Sequence, residues 1–484
     1  MKNNIYVRSG MSPVNQPTIE DIITHNLIGR NVGNLVYAYS IYRTLMTSDD
    51  VEFMPNYYRY EPELIDYLNE TGRYFIIPLA DMFRLDAQDR LQKLTNIVKK
   101  LEIPCILAGV GLRAPLGVDI NRPFPFDDTV RGFVDALLEK SDVIGIRGEI
   151  TGKYLSRLGY KEDKHYMVIG CPSMYGFGGT LKRRELHLTK DSPISVNASN
   201  VSPQKTFDLL YKILQERPNS YFVPQMIDEL WLIYGGRTLT QKKGLPVNYP
   251  RKMSDFLYQQ DRVRFFLHAR SWIDFLGGMD LSIGGRMHGN IAAILAGTPS
   301  VIFCHDSRMK ELLEYHQLPH LTTDQIQENW SLEEILEQVD FAKMYQRHGE
   351  NFQRYCTFLK RNGVHHIFEE KDFVEEAPLD RRLKTMELPQ PVYSAVNLST
   401  EELADRWHRI YEFREEFKNK QIKRLRKKHE ERGKKLTQVR KKYKMLNEPS
   451  IKKDARILAL EVKDKMTGTK RNNFDRAKYL SEKK

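Results

Sequence analysis

Short apolar, β-branched runs alternate with longer segments of helical period along most of the chain. The runs at 74–78, 105–108, 143–146 and 167–169 predict strands in the first half. Those at 194–197, 221–224, 263–267, 281–283 and 300–304 predict strands in the second. Helical spacing over 86–100, 129–138, 205–215, 290–296 and 309–315 fills the gaps between them. Strands separated by helices are βαβ units, and βαβ units build parallel sheets covered on both faces.

One such sheet with its helices takes about 150–200 residues, so two fit this chain better than one. The polar stretch at 176–192, with Lys182-Arg183-Arg184-Glu185 breaking the apolar period, predicts the hinge between them. The expected fold is therefore α/β: two Rossmann-like, doubly wound domains, 1–180 and 190–374, facing a cleft. In doubly wound sheets, ligands bind outside the strand C-termini. The charged, proline-bearing stretch 375–399 reads as a linker or a wrapping segment, and 400–484 as a basic helical tail.

Charge separates the tail from the body. Between residues 401 and 484 there are 28 Lys and Arg against 14 Asp and Glu, whereas the rest of the chain holds 47 against 49. The body thus gives no electrostatic reason to expect nucleic acid. Four scattered cysteines without CxxC spacing argue against a disulfide framework. No window is apolar enough to span a membrane, and the expected location is cytoplasmic. No P-loop, HExxH or GxSxG is present, the histidines lack metal-ligand spacing, and no cofactor or metal is expected.

The most informative segment is Asp280-Leu-Ser-Ile-Gly-Gly-Arg286-Met-His288-Gly289, followed by Ala296-Gly297-Thr298-Pro299. A strand ends at Ile283, two glycines allow a tight turn, and a helix starts near His288. Its free N–H groups and dipole make an anion site. Arg286 adds a planar fork and His288 a titratable donor, while Gly289 lets the helix pack closely. The plainer alternative is that Arg286 and His288 only cap the turn.

These residues resemble the signature of the polysaccharide pyruvyl transferases, which read Arg-Leu-His-Gly at this point. His305-Asp306-Ser307-Arg308 is similar to the family's aromatic-Asp-Pro-Lys run, and Arg147-Gly-Glu149 to its Arg-x-Glu. Arg30-Asn-x-Gly33-Asn34 is similar to its opening Asn-x-Gly-Asp turn. Cys171-Pro172 stands where the family has Asp-Pro, and Arg308 where it has Lys.

The resemblance implies a GT-B arrangement and transfer of pyruvate from phosphoenolpyruvate onto sugar hydroxyls as a ketal, on a cell-surface polysaccharide or its lipid-linked precursor. It implies Arg147, His288 and Arg308 as donor-binding or catalytic positions, with Arg286, Gly289 and Asn34 as further binding positions and Asp81 as a base on the sugar. The tail would add peripheral contact with anionic membrane. Two other readings stay open: a GT-B glycosyltransferase using a nucleotide sugar, and a non-catalytic polyanion-binding protein.

Overall fold

The computed structural model describes residues 4–240 and 244–446; the end of the predicted basic tail, 447–484, lies outside the described residues. Strands β1 (Asn4–Val7), β2 (Glu52–Pro55), β3 (Gly72–Pro78), β4 (Cys105–Val110), β5 (Ile144–Ile146) and β6 (Tyr166–Val168) form one sheet. Its order is β2-β1-β3-β4-β5-β6, parallel throughout. Strands β7 (Ile194–Asn197), β8 (Tyr221–Phe222), β9 (Leu281–Gly284), β10 (Ser300–Cys304) and β11 (His320–Thr322) form the other. Its order is β11-β10-β9-β7-β8, also parallel.

Helices cover the sheets, and the central strands β4, β5 and β10 are buried along their whole length. The two halves are doubly wound α/β units, as the alternation predicted. Strand order reverses between β1 and β3 in the first and between β7 and β9 in the second. Those reversals open the crevices where loops diverge from the strand ends.

Three strands, β1, β2 and β11, were not predicted, and one predicted strand is corrected. Residues 263–267 make only single bridges, Val263 to Phe222 and Phe265 to Val392. They lie outside β8, which is two residues long and offers too little edge for a regular ladder.

The crossing at 176–192 is pinned rather than loose: Arg184 donates to Gly277 O at 2.9 Å and to Thr298 Oγ1 at 2.6 Å. The Ala342–Arg361 helix, expected with the second half, touches both halves, Arg354 Nε donating to Val168 O and Asn351 Nδ2 to Tyr315 O, each at 2.9 Å, and the residues after it reach the first half. Asn362 Nδ2 donates to Val143 O, Tyr74 Oη to Gly363 O, and Ile367 N to Thr44 O. The 375–399 stretch touches both halves: Asp380 pairs with buried Arg43 of the first at 2.8 Å, and Val392 N donates to Phe265 O of the second at 2.8 Å.

The first turns of the Thr400–Leu446 helix belong to this body. Arg409 pairs with Glu20 at 2.8 Å, and Trp407 Nε1 donates to Gly235 O at 2.9 Å. From Ile410 to Leu446 the chain forms a separate unit, a single helix with exposed Tyr411, Leu425, Leu436 and Val439. No helix among the described residues is long and apolar enough to cross a membrane.

Candidate functional site

Strand β9 ends in a turn that only glycine can make. Gly284 has φ +148°, and a Cβ there would stand 1.7 Å from Asn197 O. Asn197, at the end of β7, holds both the turn and the helix after it. Its Oδ1 accepts from Arg286 N at 2.8 Å, and its side chain pairs with buried Asn290 at 3.1 Å. The Met287–Ala296 helix therefore starts in a set direction, with Gly297 at φ +87° closing it.

A second helix, Gly33–Leu45, starts at the same place. A Cβ on Gly33 would lie 3.0 Å from Cβ of His288, so the two N-termini meet across the gap between the halves. Both helices exceed two turns, but the first N–H groups of Gly33–Leu45 are already paired, Gly33 N with Asn31 Oδ1 at 2.8 Å and Asn34 N with Asn31 O at 3.1 Å, so this helix contributes its dipole rather than free donors.

Arg147, just past β5, is 2% exposed, a nearly dry cation. Its Nε donates to Gly109 O at 2.9 Å, its Nη2 lies 4.0 Å from Cys171 Sγ, and its guanidinium sits 5.6 Å from the centre of the Tyr37 ring. His288 stacks on the same Tyr37 at 5.9 Å, with Nε2 3.8 Å from Cys171 Sγ. Burial, then Arg147 and Arg308, push the His288 pKa down to about 3. The imidazole is therefore neutral at ordinary pH.

Asp81, just beyond β3, gathers three arginines on Oδ2: Arg84 at 2.8 Å, Arg113 at 3.3 Å and Arg308 at 3.4 Å. Burial pushes its pKa up, but Arg308, Arg84, Arg113 and Arg147 together outweigh that and hold it below the usual range. A carboxylate so held is a weak proton acceptor, which counts against the expected role as base. Arg308 also contacts Asp306 at 3.3 Å, and Asp306 caps the Ser307–His316 helix through Met309 N.

Asn34, Asp81, Arg147, Arg286, His288 and Arg308 all line one cleft of about 610 Å³ between the two halves. Gly289 is not in that lining; it lies behind His288, where a Cβ would stand 2.4 Å from Gln225 Nε2. Asn34 donates Nδ2 to Ile28 O at 3.0 Å and so holds the preceding loop. Eight arginines and two aspartates line the cleft, with no lysine and no glutamate, so it is strongly positive. Two other cavities, of about 610 and 690 Å³, mix both charges and hold none of these groups.

Sequence reasoning missed Tyr37, Gln225 and the arginines Arg8, Arg84 and Arg113. Arg8 follows β1, the strand whose four residues gave too short a run. Gln225 lies three residues past β8, with no local pattern to mark it. Glu311 was missed as well: it is 2% exposed on the Ser307–His316 helix, one turn from Arg308.

The sequence profile described as Polysaccharide pyruvyl transferase matches residues 31–307. No curated protein matches in sequence. Among solved structures, a putative UDP-N-acetylglucosamine 2-epimerase from Listeria monocytogenes is similar at 14% identity, covering 78% of this chain and 99% of that one, with a TM-score of 0.40. The S. aureus MnaA–UDP structure is 11% identical, covering 77% and 100%, with a TM-score of 0.39. Anabaena HepE in complex with UDP and glucose is 12% identical, covering 75% and 92%, with a TM-score of 0.35. The matched profile runs from the turn before Asn34 to the residue before Arg308, more than half of the sequence, and on that match the chain belongs to the polysaccharide pyruvyl transferase family.

Proposed function

We propose that this protein transfers the pyruvyl group of phosphoenolpyruvate to two hydroxyls of a glycan, forming a ketal and releasing phosphate. The observation that carries the reading is the meeting of buried Arg147, neutral His288 and two helix N-termini in one positive cleft. A carboxylate and a phosphate on one small molecule match such donors.

In the reaction a proton adds to the methylene carbon, and the adjacent carbon becomes electrophilic. One sugar hydroxyl forms a C–O bond there, and the bond to the phosphate oxygen breaks as phosphate leaves. The second hydroxyl then closes the ketal. The two protons lost by the hydroxyls balance the one taken by the methylene carbon and the one taken by phosphate.

Donor binding brings negative charge beside His288 and offsets Arg147 and Arg308. That raises the basicity of the imidazole, so proton uptake is coupled to donor binding. His288 then delivers the proton to the methylene carbon, and Arg308 neutralises the departing phosphate. Asp81 holds the arginines in register. Asn34 and Gly289 shape the two helix starts.

The acceptor is a cell-surface polysaccharide or its lipid-linked precursor, and the basic segment from Thr400 gives peripheral contact with anionic lipid at the cytoplasmic face. Mixing the protein with phosphoenolpyruvate and a glycan acceptor tests the reading. Phosphate release that requires both, with mass gain of a pyruvyl ketal on the glycan, is expected. Turnover with a nucleotide sugar in place of phosphoenolpyruvate would support the glycosyltransferase reading instead.

A further inference from the structure

The positive charge of the cleft exceeds what one carboxylate and one phosphate would neutralise, and Arg286 stands apart from the group that faces the donor. The cations that bear on His288 are Arg147 and Arg308; Arg286 does not, and it bears on Tyr249 and, together with Arg308, on His305. Its Nε is anchored on Ala198 O at 2.9 Å, just past β7, and its backbone N on Asn197 Oδ1 at 2.8 Å. The guanidinium thus lies between the ends of β7 and β9, where the strand order of the second sheet reverses. That crevice is where open α/β sheets bind ligands.

Two polar atoms there lack a protein partner among the described residues. One is Arg286 Nη2, which is buried. The other is Nε2 of Gln225, a side chain only 1% exposed that lines the same cleft. Gln225 lies against the first turn of the Met287–Ala296 helix, its Nε2 being 2.4 Å from where a Cβ on Gly289 would stand. Leaving such donors buried and unpaired costs their lost hydration, so a ligand that accepts from them gains accordingly.

We infer that Arg286, Gln225 and the first turn of the Met287–Ala296 helix form a second oxyanion site, which holds a phosphoryl group carried by the acceptor while the donor occupies Arg147, His288 and Arg308. With Nε engaged, Arg286 cannot offer the Nε–Nη2 side that grips a planar carboxylate in parallel. Donors converging from a guanidinium end, a carboxamide and a helix start suit tetrahedral phosphate oxygens. A sugar linked through a diphosphate to a lipid or to a nucleoside presents the same group. The inference names the acceptor class for the transfer proposed above and rests on that reading.

Titrating inorganic pyrophosphate into the full-length protein saturated with phosphoenolpyruvate, followed by calorimetry, tests it. Pyrophosphate is expected to bind with the donor in place. Arg286→Gln should weaken pyrophosphate about tenfold or more while phosphoenolpyruvate affinity stays within about threefold. Arg286→Lys should fall between, and an unchanged unfolding temperature shows that both variants are folded. Displacement of pyrophosphate by a short prenyl diphosphate or by a nucleoside diphosphate then tells the two carriers apart.

Pyrophosphate that binds only by competing with phosphoenolpyruvate would overturn the second site, as would an Arg286→Gln variant that loses both ligands equally. If phosphoenolpyruvate does not bind the wild-type protein, the donor reading fails. Pyrophosphate affinity that still depends on Arg286 would then uphold the oxyanion site alone.

Discussion

Glu311 in the second half and Thr151 in the first are joined in a fully buried contact by two donors, the Thr151 N–H and the Thr151 hydroxyl shared between both carboxyl oxygens. The carboxylate accepts from Thr151 N at 2.9 Å and from Thr151 Oγ1 at 2.9 and 2.8 Å. Glu311 shares a helix with Arg308, and Thr151 lies one turn past Arg147, so the contact sets the spacing of two cleft arginines.

Burial pushes the Glu311 pKa up from 4.5 to about 7, although the Thr151 bonds and the charges of Arg147 and Arg308 act against it. A raised carboxyl pKa contributes stability that is complete below the unfolded value and is lost as pH rises through the folded one. Glu311→Gln should therefore gain on wild type between pH 5 and pH 8, by on the order of 3 kcal/mol. Chemical unfolding of both proteins at the two pH values checks this; a gap that does not change with pH refutes it.

His288→Ala is expected to lower kcat by about 10²-fold or more, the range of a lost acid–base group, with little change in unfolding temperature. In wild type the pH profile of kcat/KM should show no imidazole ionisation between pH 5 and 9, because the free protein holds His288 near 3. Wild-type turnover in the alanine variant would remove His288 from the mechanism, and a collapse in stability would mark it as a cap.

Cys171→Asp places a carboxylate beside Arg147 and His288, where the thiol sulfur now lies at 4.0 and 3.8 Å. The new charge should raise the His288 pKa into the range of pH 4–7 and weaken phosphoenolpyruvate binding. Because donor binding takes up a proton, donor affinity in the wild type should fall as pH rises across that range, and in the variant, whose free His288 already holds the proton at the acid end, the onset of that fall should move to higher pH.

Gly289→Ala forces its methyl group to within 2.4 Å of Gln225 Nε2, and the cost expected for such overpacking is about 1–3 kcal/mol. Thermal unfolding measures it. Stability equal to wild type would show that the Gln225 side chain moves aside freely.

Two truncations separate the anchored start of the long helix from the rest. Ending the chain after Arg409 should leave stability and turnover on a small acceptor intact and abolish salt-sensitive binding to anionic liposomes. Ending it after Ser399 should destabilise the body, because Glu20, 4% exposed, loses its Arg409 partner. Equal unfolding temperatures for the two truncated proteins would show that residues 400–409 add nothing to the body.

The alternation of apolar runs was enough to read two parallel sheets, because strands such as β4 and β10 are buried on both faces and stay apolar throughout. It failed at β1, β2 and β11, where three or four residues make too short a run. Edge strand β2 is half-exposed as well, so its sequence shows no core pattern. The Arg286–His288 turn was legible because glycines, arginine and histidine fall together in ten residues. Tyr37, Gln225 and Glu311 reach the cleft or its wall from separate elements, and no local pattern marks them. Asp81 was found by position, but of its three arginines only Arg84 is a sequence neighbour; Arg113 and Arg308 come from elsewhere in the chain, and together the three hold its proton affinity down.

Because the Ala342–Arg361 helix and the residues after it complete the first half, that half is discontinuous in sequence, whereas strands β7 to β11 are contiguous. During synthesis the second sheet emerges whole while Val143, Tyr74 and Thr44 still await their partners. The usual order, in which the N-terminal unit folds first, is thus denied to this chain. The first half gains its last packing partners only after residue 367 has left the ribosome, so a chain that stops earlier carries a complete second sheet beside a first sheet that lacks part of its cover.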